Sequence, residues 1–129
     1  MTMLEHLADV QASAELIYPQ SVVEAAITRV AGDLSRAVAE SNPVIVTVLD
    51  GGIVFCGKLL VHLNFPLQLD SVSVGRYRGE TQGSEINWRL KPKTPLRDRI
   101  VVLVDDVLDE GHTLAELRRF CVDEGAEAV

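Results

Sequence analysis

The run Asp105-Asp106-Val107-Leu108-Asp109-Glu110-Gly111-His112-Thr113 sets acids, a glycine and a threonine at close spacing. Successive backbone N–H groups from Glu110 to Leu114 would line a concavity at the start of a helix, and such a concavity binds anions. Gly111 lets the main chain approach a bound group closely and accepts a positive φ. Thr113 adds a hydroxyl donor. Asp105 and Asp106 bring negative charge beside this anion site, which is chemically sensible if they hold hydroxyls or a divalent metal. A phosphorylated sugar with Mg²⁺ satisfies both halves.

The flanking residues supply the elements that would position this chemistry. Ile100 to Val104 are consecutive apolar residues, mostly β-branched, the pattern of a buried parallel strand. Leu114, Leu117 and Cys121 then recur at helical spacing. In an open α/β sheet, ligands bind beyond the carboxyl end of a strand. A similar unit occurs earlier: Val44–Leu49 reads as a strand, Asp50-Gly51-Gly52 as a turn, and Ile53 to about Leu63 as a helix closed by Asn64-Phe65-Pro66.

Residues 1–20 read as a short amphipathic lead-in ending at Tyr18-Pro19. A helix is expected from Ser21, with Glu24 placed for a capping box. Its inner stripe is Val23, Ile27, Val30, Leu34 and Val38, and Asn42-Pro43 ends it. Leu67–Val74 alternates as a further strand and leads into the polar, glycine-rich Gly75–Ser84, running on to Trp88 and Lys91–Pro95. Gly125–Val129 reads as a helix end and the first residues of another strand.

With 129 residues and 47% apolar content the chain amounts to one compact soluble domain at most. A net charge of −7 argues against nucleic acid or an acidic membrane as partner. Cys56 and Cys121 lack metal-ligand spacing and sit in apolar helical patterns, as buried thiols of a reducing compartment do. Met1–Val10 is mixed in character and carries Glu5 and Asp9, unlike a signal peptide. Cytoplasm is the default location.

Gly52-x-x-x-x-Gly57-Lys58 mimics a nucleotide-binding phosphate loop, with Asp105-Asp106 as its acidic partner strand. The reading fails on chemistry. The next residue, Leu59, cannot ligate Mg²⁺, and Ile53-Val54-Phe55-Cys56 is too bulky for a phosphate cradle. Gly57 is then expected to mark a close mid-helix contact and Lys58 to be a solvated lysine.

Val101 to Thr113 resembles the phosphoribosyl pyrophosphate (PRPP) signature of the type I phosphoribosyltransferases: apolar residues, two acids, two apolar residues, then Asp-x-Gly-x-Thr. The resemblance implies a Rossmann-like α/β fold, a parallel sheet flanked by helices with a mobile lid loop. It implies that Asp105 and Asp106 address the ribose hydroxyls and Mg²⁺, directly or through water. Asp109, Glu110, Gly111, His112 and Thr113 would hold the 5′-phosphate. Glu110 departs from the Thr or Ser often found there, leaving only its N–H for the phosphate. Asp109 matches the residue beside purine N7 taken as general acid/base; by residue type alone it also fits a helix N-cap.

Leu49-Asp50-Gly51-Gly52 resembles the pyrophosphate loop of the 6-oxopurine members, where the peptide before the second residue is often cis. A plain Gly-Gly turn would read the same way. Asp50, Gly51 and Gly52 would face pyrophosphate, together with Arg76 and Tyr77 of the lid. Residues 76–96 would form that lid and its hairpin arm, with Trp88, Arg89 and Lys91 on the returning strand. The lid would exclude water from a readily hydrolysed ribosyl cation-like transition state.

These motifs cover residues 44–125 in the family's order and point to its hypoxanthine-guanine branch. The implied reaction moves 5-phosphoribosyl from PRPP to hypoxanthine or guanine, giving IMP or GMP and pyrophosphate, with Mg²⁺ as cofactor, in a homodimer or homotetramer. In the family, the strand that begins near Val129 and its successors carry the base-reading lysine, the stacking aromatic and a further metal-binding acid. The expectation is therefore a single domain, 1–129, truncated before the last core strands and with little or no turnover alone. Two rivals share the PRPP loop: a non-catalytic PRPP-binding regulator, and a pyrimidine-attenuation-type bifunctional uracil phosphoribosyltransferase. Both would be expected to show a basic nucleic-acid-facing stretch, which this chain lacks.

Overall fold

A computed structural model of the chain describes residues 1–76, 86–108 and 111–129. Four strands are seen among them: β1 (Val44–Val48), β2 (Gln68–Arg76), β3 (Ile86–Leu90) and β4 (Val101–Val104). They form one sheet in the order β3-β2-β1-β4. β1 pairs in parallel with β2 and β4, and β2 pairs antiparallel with β3. The helices are α1 (Met3–Ser13), α2 (Gln20–Val38), α3 (Ile53–Leu60) and α4 (His112–Asp123).

β1 is the centre of the fold because its β-branched run can be covered on both faces. Val44, Val46 and Val48, with Val72 and Val101, pack against Leu117 and Cys121 of α4. Ile45 and Val104 pack the other way, against Ile27 and Ala31 of α2 and Cys56 and Leu59 of α3. The result is the three-layer α/β arrangement the sequence implied. Cys56 and Cys121 are buried free thiols.

Several local expectations need correction. α2 starts at Gln20 with Pro19 as N-cap and no side-chain cap, so Ser21 and Glu24 form no capping box. Proline has no N–H to satisfy at a helix start and its φ is already suitable. The capping box lies in α1, between Thr2 and Glu5. Glu24 instead pairs with Lys58 of α3, whose hydrogen bond holds the Glu24 carboxyl below its usual range. Lys58 is thus a paired residue, not simply a solvated one.

The inner stripe of α2 is Ile27, Ala31, Leu34 and Val38, while Val23 and Val30 stand exposed at its edge. α3 ends at Leu60, short of Leu63, because the last turn tightens into His62 N–H to Leu59 and Leu63 N–H to Leu60 bonds. A Cβ on Gly57 would meet nothing within 4 Å, so that glycine marks no close contact.

The hairpin arm is present as β3. Trp88 packs on Phe120 of α4 with ring centroids 4.7 Å apart, and the Lys91 ammonium lies 5.7 Å from the indole centroid. At the far edge, Ile100 bridges Ala128 in parallel, and Val101 N–H donates to the Ala128 carbonyl at 2.9 Å. An isolated parallel bridge to β4 thus sits where the sequence suggested the first residues of another strand.

Candidate active site

The site is built where two parallel strands end side by side. Thr47 of β1 lies opposite Val104 of β4, so the residues that follow each strand emerge at the same edge. After β1 the chain makes a cis peptide at Leu49-Asp50, then turns through Gly51 and Gly52 into α3. Two bonds fix the turn: Gly52 N–H to Val48 O at 2.9 Å and Ile53 N–H to Asp50 O at 3.1 Å. After β4 come Asp105 and Asp106, with the Asp106 N–H donating to Asp105 Oδ1 at 2.8 Å.

The two edges touch. A Cβ placed on Gly51 would lie 2.6 Å from Oδ2 of Asp106 and 2.7 Å from its Cγ and Oδ1. The Asp106 carboxylate therefore rests on the bare Cα of Gly51, a position that any side chain would deny it. Gly52 is required for another reason. Its Cβ would lie 2.7 Å from the Val48 carbonyl oxygen and 2.9 Å from that of Val104, both backbone atoms of core strands. One glycine makes room for a functional carboxylate and the next for the sheet itself.

Partial burial pushes the Asp105 carboxyl above its ordinary range; the adjacent Asp106 charge adds to this and the Asp106 N–H opposes it. Among the described residues no basic side chain is paired with either acid. Two adjacent carboxylates without a cation are suited to a divalent ion or to sugar hydroxyls. No cluster of three or more His, Cys, Asp or Glu exists among the described residues.

Gly111 takes φ 80° and caps α4, and the helix opens with His112 and Thr113. The left-handed turn is the conformation expected of this glycine. Asp109, Glu110 and Tyr77 lie outside the described residues, as does most of the segment read as a lid. Arg76 ends β2, and its side chain is likewise outside the description. Asp50 is exposed on the turn. The structure thus brings Gly51, Gly52, Asp105 and Asp106 together, with the start of α4 following in the chain.

Sequence reasoning missed Thr47 at this edge and Asp70 early in β2. Thr47 is buried below the Gly52 turn, and its Oγ1 has no hydrogen-bond partner. Cys56 lies near enough to feel that hydroxyl, though not in hydrogen-bond geometry, and burial pushes its thiol up. Asp70 is buried on β2. Burial would raise its carboxyl, but N–H bonds from Thr94, Ser71 and Lys93 at 2.7–2.8 Å outweigh this and lower it. The only sequence signal for Asp70 was an acid inside an alternating strand.

Residues 13–129 match the phosphoribosyl transferase domain model. The chain belongs to the phosphoribosyltransferase family. It is 30% identical over 102 residues to the hypoxanthine-guanine-xanthine phosphoribosyltransferase of Tritrichomonas foetus, covering 79% of this chain and 56% of that one. It is 30% identical over 115 residues to the hypoxanthine-guanine phosphoribosyltransferase of Streptococcus pneumoniae (strain ATCC BAA-255 / R6), covering 88% and 63%. A hypoxanthine phosphoribosyltransferase structure from Staphylococcus aureus superposes with a TM-score of 0.85 at 18% identity, covering 99% and 68%. The chain thus spans about three-fifths of the length of those two curated relatives. For this phosphoribosyltransferase domain, the comparison fixes the fold and the family. No helix among the described residues is long and apolar enough to cross a membrane.

Proposed function

We propose that this phosphoribosyltransferase domain carries the PRPP half of a purine-salvage active site, moving 5-phosphoribosyl to hypoxanthine or guanine with release of pyrophosphate. The observation that carries this reading is the Asp106 carboxylate seated on Gly51. One edge can then hold both ends of the bond that breaks. Backbone groups at Asp50, Gly51 and Gly52, with Arg76 and Tyr77, face the leaving pyrophosphate. Asp105 and Asp106 hold the ribose hydroxyls and favour positive charge at the reacting carbon. Asp109, Glu110, Gly111, His112 and Thr113 hold the 5′-phosphate at the start of α4.

Asp109 stands by purine N7 as general acid/base, accepting or returning the proton as the glycosidic bond forms. Mg²⁺ bound beside Asp105 and Asp106 supplies charge neutralisation for pyrophosphate. Its fit rests on the unpaired carboxylates and on the raised Asp105 carboxyl. The protein works in the cytoplasm as a homodimer or homotetramer, without nucleic acid or membrane. No lysine follows Lys93 and no aromatic follows Phe120. A polypeptide of these 129 residues is therefore expected to bind PRPP and to show little or no turnover of base.

Calorimetry with PRPP–Mg²⁺ and with ATP–Mg²⁺, followed by assays with hypoxanthine, guanine, xanthine and uracil on the full-length gene product, tests the proposal. Binding of PRPP–Mg²⁺ alone, weakened at least tenfold by Asp106→Asn, with turnover of a 6-oxopurine, is the expected result. Preference for ATP, or turnover of uracil only, would overturn it.

A further inference from the structure

The residues that follow β1 and β4, 49–52 and 105–108, include three acids and no lysine or arginine. A pyrophosphate leaving group carries several negative charges of its own. Backbone N–H groups and Mg²⁺ answer part of that charge, and a guanidinium fixed beside them would answer more. The β2/β3 hairpin holds such a group. Its pairing steps from Ser73↔Leu90 to Val74↔Trp88, so one residue of β3, Arg89, is left without a partner of its own. Bulges of this kind re-aim a side chain, and they gather next to active sites. Here the re-aimed side chain lies across Gly75. A Cβ on that glycine would stand 2.8 Å from a terminal nitrogen of Arg89 and 3.4 Å from its Cζ. Glycine inside a strand weakens it and often marks a close approach of this sort. The guanidinium thus has a seat like the one Gly51 gives Asp106.

Two relations aim this cation at the turn after β1. The first is the side of the sheet. Val74 and Trp88 pack on the α4 side, so Gly75, with the guanidinium upon it, faces the α3 side. The Asp50–Gly52 turn leads into α3. The second is height along the strands. Val48 of β1 lies opposite Val72 of β2. Gly51 is three residues beyond the first and Gly75 three beyond the second, on neighbouring strands that advance about 3.3 Å per residue. Gly75 therefore stands level with the turn. Among the described residues no carboxylate pairs with Arg89, and its side chain is exposed. Lys91 differs: its ammonium lies 5.7 Å from the Trp88 ring centroid, on the α4 side.

We propose that Arg89 binds the leaving pyrophosphate from the α3 side of this edge. Its planar fork can meet two phosphate oxygens at once, and its charge persists at any pH the fold survives. The bulge and Gly75 hold the fork in place before the ligand arrives, so little freedom is lost on binding. This assignment deepens the transferase reading and rests on it, adding a residue to those that face pyrophosphate.

Calorimetry on the full-length gene product tests the assignment with three ligands: pyrophosphate–Mg²⁺, PRPP–Mg²⁺ and IMP, which has the ribose and 5′-phosphate but no pyrophosphate. Arg89→Met should weaken the first two by roughly tenfold or more and leave IMP unchanged. Arg89→Lys keeps the charge without the fork and should recover part of the loss. Gly75→Val takes the seat away; it should weaken pyrophosphate too, and add nothing further in the Arg89→Met background. The Arg89 side chain is exposed, so thermal midpoints should hold. Unchanged pyrophosphate binding by Arg89→Met, or an equal loss for IMP, would overturn the assignment while the transferase reading stands. A wild type that binds neither PRPP–Mg²⁺ nor pyrophosphate–Mg²⁺ refutes the transferase reading itself, and the assignment with it.

Discussion

Replacing Gly51 and Gly52 by alanine, one at a time, should give opposite phenotypes from adjacent positions. In Gly51→Ala the new methyl meets only the Asp106 carboxylate, at 2.6–2.7 Å. Ordinary contact needs roughly 3.4 Å or more, so the carboxylate must retreat by about 0.8 Å. Asp106 is exposed and can swing, which leaves the fold nearly intact. A charge-assisted hydrogen bond stretched by that much is lost, and such bonds are worth about 1.5–3 kcal/mol. At about 1.4 kcal/mol per decade, PRPP–Mg²⁺ should bind roughly 10- to 100-fold more weakly, with the melting temperature shifted by no more than about 2 °C.

Gly52→Ala drives its methyl into the carbonyl oxygens of Val48 and Val104, which cannot move without the sheet. Overpacking of this kind costs about 3 kcal/mol, or roughly 9–15 °C for a domain of this size. Calorimetry with PRPP–Mg²⁺ and differential scanning calorimetry on both variants read the two effects separately. Equal losses of stability in the pair, or unimpaired PRPP binding by a well-folded Gly51→Ala, would refute the assignment of Asp106 to the site.

Asp70→Asn removes the charge that three backbone N–H groups bind, and should cost about 1–2 kcal/mol by urea titration at pH 7. Because the folded carboxyl is held below its ordinary value, its stabilisation is fully present above about pH 4 and drains away as pH falls through the folded value. The variant and wild type should therefore converge in stability once the pH has fallen through that folded value. Thr47→Val replaces an unpartnered buried hydroxyl with a methyl of the same shape, and should raise stability by about 0.5–1 kcal/mol in the same titration. Gly111→Ala forces a Cβ into φ 80°, at about 1–2 kcal/mol; Gly111→Asn should recover part of the loss in thermal melts, since asparagine tolerates that region.

Much of the fold was readable because strand ends and turns are written in contiguous residues. Val44–Val48 and Val101–Val104 declare themselves by unbroken β-branching, and Gly51, Gly52 and Gly111 by their positions after a strand or before a helix. What escaped depends on neighbours distant in the chain. Which edge of the α2 stripe turns inward is decided by α3, so Val23 and Val30 stay outside while Ala31 goes in. In β2, Leu69 is exposed while Asp70 is buried, because the chain at Lys93 and Thr94 returns to bind the carboxylate. Ser21 and Glu24 have the spacing of a cap but lie one residue inside a helix that Pro19 had already begun. The contact of Asp106 with Gly51 was implied only in outline, since nothing local joins residues more than fifty apart.

The pairing of Thr47 with Val104 makes the two strands a measuring device. Each residue advances a strand by about 3.3 Å and reverses the direction of the next side chain. Deleting one residue from β1 would draw Gly51 back by a full step while Asp106 stayed put, and the carboxylate would lose its seat. Length variation in this lineage should therefore collect in connections away from this edge, where doubling a loop costs only about 0.6 kcal/mol, and should avoid the stretches 44–52 and 101–106.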